Sequence, residues 1–157
     1  MDERIKKLAY NLVNYSCRVQ KGEKVLISCS GVHPLPLVKQ VIKEVYAAGA
    51  LPFVNFTTNS IDRELLLNIT EEQLKIMAEC DAARMSQMDA YIGVRGEDNI
   101  SEMSDVPSEK LSMYDRLYTS PVHHDIRVPK TKWVVLRYPS PSMAQSAHQS
   151  LEAFEDY

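Results

Sequence analysis

Residues 24–56 read KVLISCSGVHPLPLVKQVIKEVYAAGALPFVNF. Val25-Leu26-Ile27 is an apolar, β-branched run too short for a helix, and reads as a strand buried on both faces. Pro34 and Pro36 then suit the first turn of a helix, where a missing amide costs little. Leu37, Val38, Val41, Ile42 and Val45 recur at helical spacing along one stripe. Ala47-Ala48-Gly49 closes that helix, and Phe53-Val54-Asn55-Phe56 reads as a second strand. Strand, helix, strand over this length is a βαβ unit, whose right-handed crossover makes the two strands parallel.

The same alternation extends in both directions. Upstream, Ile5, Leu8, Ala9, Leu12, Val13 and Val19 fall mostly three or four apart, which predicts one amphipathic helix stopped by Lys21-Gly22-Glu23. Downstream, about Ile61 to Ser86 is helical. Thr70 with Gln73 forms a capping box, and Ile69 with Leu74 a hydrophobic staple, so two helices should meet near Asn68–Thr70. Ala90-Tyr91-Ile92-Gly93-Val94 is a third strand, ended by Arg95-Gly96. Glu97 to Pro107 is loop-like. A further helix near Pro107–Ser108 should carry Leu111, Tyr114, Leu117 and Tyr118 inward. Trp133-Val134-Val135-Leu136 is a fourth strand, with Trp133 expected to be buried at the sheet. Pro139 and Pro141 break it, and Met143 to Tyr157 reads as two short helical pieces. The fold class is therefore α/β: a mostly parallel sheet of about four or five strands flanked by helices, Rossmann-like and three-layered.

With 157 residues, 45% of them hydrophobic and 25% charged, the chain fits one ordinary globular domain over 1–157. Its net charge of −3 and the interleaving in Asp2-Glu3-Arg4-Ile5-Lys6-Lys7 argue against a nucleic-acid partner, which needs clustered basic residues. No apolar run approaches the ~20 residues that span a bilayer, and the charged Met1-Asp2-Glu3-Arg4 lacks a signal-peptide core. Cys17, Cys29 and Cys80 are odd in number and widely spaced, which reads as buried free thiols in a reducing cytoplasm.

In open parallel sheets ligands sit beyond the carboxyl ends of the strands. The polar residues there, Ser30, His33, Asn55, Thr57, Arg95, Arg137 and Tyr138, form the candidate binding surface, although ordinary turn chemistry also places polar residues at these ends. The first turn, Ser30-Gly31-Val32-His33-Pro34, has a single glycine, so neither a dinucleotide fingerprint nor a phosphate loop is present. Ser28 and Ser30 lack the nucleophile elbow of a hydrolase. His123-His124-Asp125 reads as a solvated or capping group, because adjacent side chains diverge too far to share one ion. Glu97, Asp98, Glu102 and Asp105 lack a calcium-loop pattern and read as solvated surface. His33 and His148 show no partner and read as structural. Met77, Met85, Met88, Met103, Met113 and Met143 are scattered, as core fillers are.

Two blocks carry a family resemblance. Glu3-Arg4-Ile5-Lys6-Lys7-Leu8-Ala9, Leu12-Val13-Asn14-Tyr15-Ser16 and Lys21-Gly22-Glu23-Lys24-Val25-Leu26-Ile27 resemble the start of the aminopeptidase T/aminopeptidase S group of metallopeptidases. Trp133-Val134-Val135-Leu136-Arg137-Tyr138-Pro139-Ser140-Pro141-Ser142-Met143-Ala144-Gln145, followed by Ser150-Leu151-Glu152-Ala153-Phe154-Glu155-Asp156-Tyr157, is similar to the same group and is the more specific block. The resemblance implies a cytoplasmic, homodimeric exopeptidase that removes N-terminal residues from peptides with two divalent metal ions such as zinc or cobalt. It also implies that the ions are held by Glu, His, Asp and Tyr residues of a carboxyl-terminal domain outside residues 1–157. No catalytic residue or metal ligand is then expected on this chain, which would be an amino-terminal scaffold, inactive by itself and without bound metal. The alternative expectation is a stand-alone, non-catalytic α/β module for small-ligand binding or oligomerisation.

Overall fold

A computed structural model describes residues 2–157. Four strands, β1 (Lys24–Ser30), β2 (Leu51–Thr57), β3 (Ala90–Arg95) and β4 (Lys132–Arg137), form a fully parallel sheet in the order β2-β1-β3-β4. In-register pairs run from Leu26 to Phe53 and Tyr91, and from Ser30 to Thr57 and Arg95. Strand order reverses between β1 and β3, because the chain leaves β1 toward one edge and leaves β3 toward the other. That reversal opens a crevice at the carboxyl ends of this central pair.

Alternation of side chains along each strand divides the sheet into two faces. Val25, Ile27, Cys29, Ile92 and Val94 are buried against α1 (Glu3–Asn11) and α2 (Leu35–Ala47), with Ala9, Leu12, Val13, Leu37, Val41 and Val45 completing that core. Burial pushes the Cys17 and Cys29 thiols up to about 11, so both stay protonated and inert. Cys80 is exposed, not buried as expected, because it lies on the outer side of its helix. On the opposite face Leu26 and Tyr91 pack against α4 (Glu71–Met85) and the segment after α5 (Ser108–Tyr114).

The helical boundary signals in the middle of the chain hold. Thr70 Oγ1 accepts from the Gln73 amide at 3.2 Å, and Gln73 Oε1 accepts from the Thr70 amide at 2.9 Å. Ile69 and Leu74 are both fully buried in one cluster between α3 (Asn59–Leu67) and α4.

Three local expectations fail. The first helix does not reach Lys21: it widens into a π turn at Leu12–Ser16, where the Cys17 amide bonds to the Leu12 carbonyl at 3.1 Å. Arg18 then adopts a φ of 45°, which ends the helix before Gly22 is reached. After α5 the chain continues as a π-helical segment, Asp115–Arg127, that contains Pro121. Tyr114, Leu117 and Tyr118 pack inward as expected, but Leu111, within α5 itself, is 38% exposed. Trp133 is 44% exposed. The reason is topological: β4 is an edge strand, and the helical layer covers only part of the indole. The Arg127 guanidinium lies 4.8 Å from the Trp133 ring and 5.0 Å from that of Tyr91. The last two helices, α6 (Val128–Lys130) aside, are α7 (Pro141–Ser146) and α8 (Leu151–Asp156), two short pieces as read from the sequence.

Candidate functional site

The crevice between β1 and β3 is where the fold offers a ligand site, and its local geometry follows from two glycines. Gly31 has a φ of +91°, and a Cβ placed there would lie 2.1 Å from the Gly96 carbonyl oxygen. A Cβ on Gly96 would lie 2.7 Å from Pro34 Cγ. The loops after β1 and β3 therefore press backbone against backbone, held by the Gly96 amide on the Ser30 carbonyl at 2.8 Å.

Glu97 sits just beyond this contact and ties four segments together. Its Oε1 accepts from Ser30 Oγ at 2.5 Å and from the Asn59 amide at 3.0 Å, while its carbonyl accepts from Ser142 Oγ at 2.7 Å. Ser142 is buried and contacts buried Ser140 at 3.1 Å. Glu97 was expected on a solvated loop. It is half-buried because it follows directly on the end of a central strand. His33, expected to lack a partner, pairs through Nε2 with Asp98 of the same loop.

The seven strand-end candidates separate into distinct neighbourhoods. Ser30 faces Glu97. Arg95 and Arg137 are register neighbours on β3 and β4, and both are exposed. They line a cleft of about 400 Å³ with Asn59, Ser140 and Ser142, and no carboxylate forms an ion pair with either among the described residues. Such a paired guanidinium rim attracts a carboxylate or another planar anion. Tyr138 turns to the other face, against Ile5 and Leu8, where burial raises its phenol pKa.

Asn55 and Thr57 lie under the second helical layer. Asn55 Oδ1 accepts from Arg84 Nη2 at 2.5 Å, and Thr57 Oγ1 donates to Asp62 Oδ1 at 2.6 Å. Both line a cavity of about 280 Å³ between the sheet, α4 and the π-helical segment. His123, expected to be solvated, reaches this cavity, whereas His124 and Asp125 are exposed. The π-helical path turns His123 inward beside Tyr91 and Tyr118, with ring centroids at 5.9 and 6.2 Å. Burial, helped by the Arg127 charge, lowers its pKa to about 4. Arg127 Nε donates to His123 Nδ1 at 2.8 Å. Because Arg only donates, the neutral ring carries its proton on Nε2. Tyr118 donates to Asp81, and burial followed by that carboxylate raises the phenol pKa strongly.

Sequence reasoning thus missed Glu97, Asp81, Arg84 and His123. Only Glu97 carried a usable signal, its position after Arg95-Gly96. A two-ion hydrolytic centre needs several carboxylate or imidazole ligands converging on each ion. Among the described residues no three His, Cys, Asp or Glu side chains converge in that way, so the donor set here does not fit such a centre.

A family model for thermophilic metalloproteases (M29) matches residues 1–157. Among solved structures, wild-type AmpT from Thermus thermophilus superposes with a TM-score of 0.70 at 22% identity, covering 92% of this chain and 38% of that one. CurK enoyl reductase aligns at a TM-score of 0.37 and 13% identity, over 97% of this chain and 46% of that one. No curated protein matches in sequence. The chain thus spans well under half the length of the AmpT chain it resembles.

Proposed function

The chain belongs to the M29 family of thermophilic metalloproteases, and on that basis we propose that it serves as the amino-terminal scaffold domain of a metal-dependent aminopeptidase, acting on peptide substrates in the cytoplasm as a homodimer. The observation that carries this reading is the family match along all 157 residues. The AmpT-like fold, which accounts for 38% of that longer chain, supports a division of labour: this domain contributes walls and charge, and the two divalent ions are held by other segments.

Within that assembly the exposed Arg95 and Arg137 at the strand ends would guide the carboxylate end of a short peptide, since bidentate guanidinium contacts recognise carboxylates by shape as well as charge. Glu97, tied to Ser30, Asn59 and Ser142, would hold that rim rigid. Ser30 and His33, bonded to Glu97 and Asp98, would support the rim in this reading, whereas Asn55 and Thr57 line the separate cavity and Tyr138 the opposite face.

The test uses the purified 157-residue chain with a leucyl dipeptide and added Co²⁺ or Zn²⁺. The expected result is no leucine release above metal in buffer, and calorimetric titration showing no tight two-ion site. Metal-dependent release by this chain would sink the scaffold reading and relocate the chemistry onto its own residues.

A further inference from the structure

The cavity beneath the π-helical segment has an arrangement of charge that neither the rim nor the scaffold role uses. Asp62, Asp81 and Arg84 all line it, yet none of the three pairs with another of them. Each is instead bonded to a neutral group: Asp62 to Thr57, Asp81 to Tyr118 and Arg84 to Asn55. Asp81 and Arg84 are three residues apart on α4, a spacing at which opposite charges normally meet. Half-buried charges gain more from an opposite charge than from a neutral partner. Charges of both signs held apart in one cavity are therefore complementary to a small molecule that itself carries both.

We propose that this cavity binds a free α-amino acid with an apolar side chain, its carboxylate on Arg84 and its ammonium on Asp81 and Asp62. Arg84 spends only one of its donors on Asn55, and each aspartate has one oxygen free of its neutral partner. His123 supplies a further donor from Nε2 toward the carboxylate. Met77 and Val122 line the same space and receive the side chain, with methionine adapting to its shape. At about 280 Å³ the cavity lies just below the range of drug-sized pockets, which suits an amino acid better than a longer peptide. The proposal rests on the cavity alone and needs no peptidase activity. Under the scaffold reading, such a ligand is what N-terminal hydrolysis releases, and the site would sense product.

The experiment is calorimetry and ¹⁵N-resolved NMR on the 157-residue chain with L-leucine, N-acetyl-L-leucine and L-leucinamide. One saturable site for leucine is expected, with the resonances of His123 and the Asn55 side-chain amide shifting. Each blocked analogue should bind at least ~10-fold more weakly, since each leaves a charged protein group without its partner. Arg84→Gln and Asp81→Asn should weaken leucine to the same degree, and Arg84→Lys should recover part of the loss. Equal binding of leucine and its blocked analogues, or no saturation by ~10 mM, would overturn the proposal. Because the analogue comparison uses the unmodified chain, a variant that fails to fold does not shelter it.

Discussion

Gly31 carries the tightest constraint on any single residue of the crevice. Its φ of +91° is unfavourable for a side chain, and a methyl would meet backbone, not a movable side chain, at 2.1 Å. Gly31→Ala should therefore cost at least ~2 kcal/mol, combining left-handed strain with a forced loop shift. Urea unfolding measures this, and a loss under ~0.5 kcal/mol would mean that the loops after β1 and β3 are not in contact. His123 supplies a pH signature. Its folded pKa is lowered to about 4 from an ordinary 6.5, so between those values the unfolded chain binds the extra proton and stability rises with pH. The contribution is complete above about 6.5 and is lost as pH falls toward 4. Allowing for its partial exposure, the amplitude should be about 1–2 kcal/mol, and His123→Gln should remove that slope from denaturation curves recorded across the window. Neither residue was legible in this role. The sequence shows a lone glycine and a histidine doublet, and only tertiary contact reveals that one meets a carbonyl and the other turns inward.

Elements were more legible than residues, and the reason is periodicity. Strands β1 and β3 are buried on both faces, so their apolar runs are continuous, and α4 begins where Thr70 and Gln73 close a reciprocal cap. Removing that cap by Thr70→Ala should cost about 1 kcal/mol, read as a lowered unfolding midpoint with unchanged cooperativity. The π-helical segment defeated the same logic, because its hydrogen bonds skip one residue further and its inward positions no longer recur at 3.6. That is also why Val122 and His123, which it brings to the cavity, went unplaced, whereas Tyr118 packs inward as read. Strand β4 was read correctly as a strand and wrongly as a buried one, since hydrophobicity reports what a strand could cover but not whether it ends the sheet. Trp133→Ala should accordingly cost about 1–2 kcal/mol, the sum of half-buried ring area and the stacked Arg127, well short of the ~3–5 kcal/mol of a fully buried tryptophan. Chemical denaturation distinguishes the two ranges.

At the scale of the whole molecule, the two sheet edges are unequally covered. Strand β2 leaves Leu51, Val54 and Phe56 between 43% and 50% exposed, although the central strands beside it are closed on both faces. Pro52 lies in this strand, and a residue without an amide is tolerated only at an edge. An uncapped edge with apolar side chains is a surface on which strands or other apolar faces settle, and the homodimer proposed above would have a physical cause there. Substituting a charge at its most exposed large side chain, Phe56→Lys, should lower the unfolding free energy by about 1 kcal/mol or less while lowering the concentration dependence of the sedimentation coefficient. A parent chain that sediments as a monomer at every concentration would show that β2 is tolerated bare and would remove this surface as a cause of the proposed dimer.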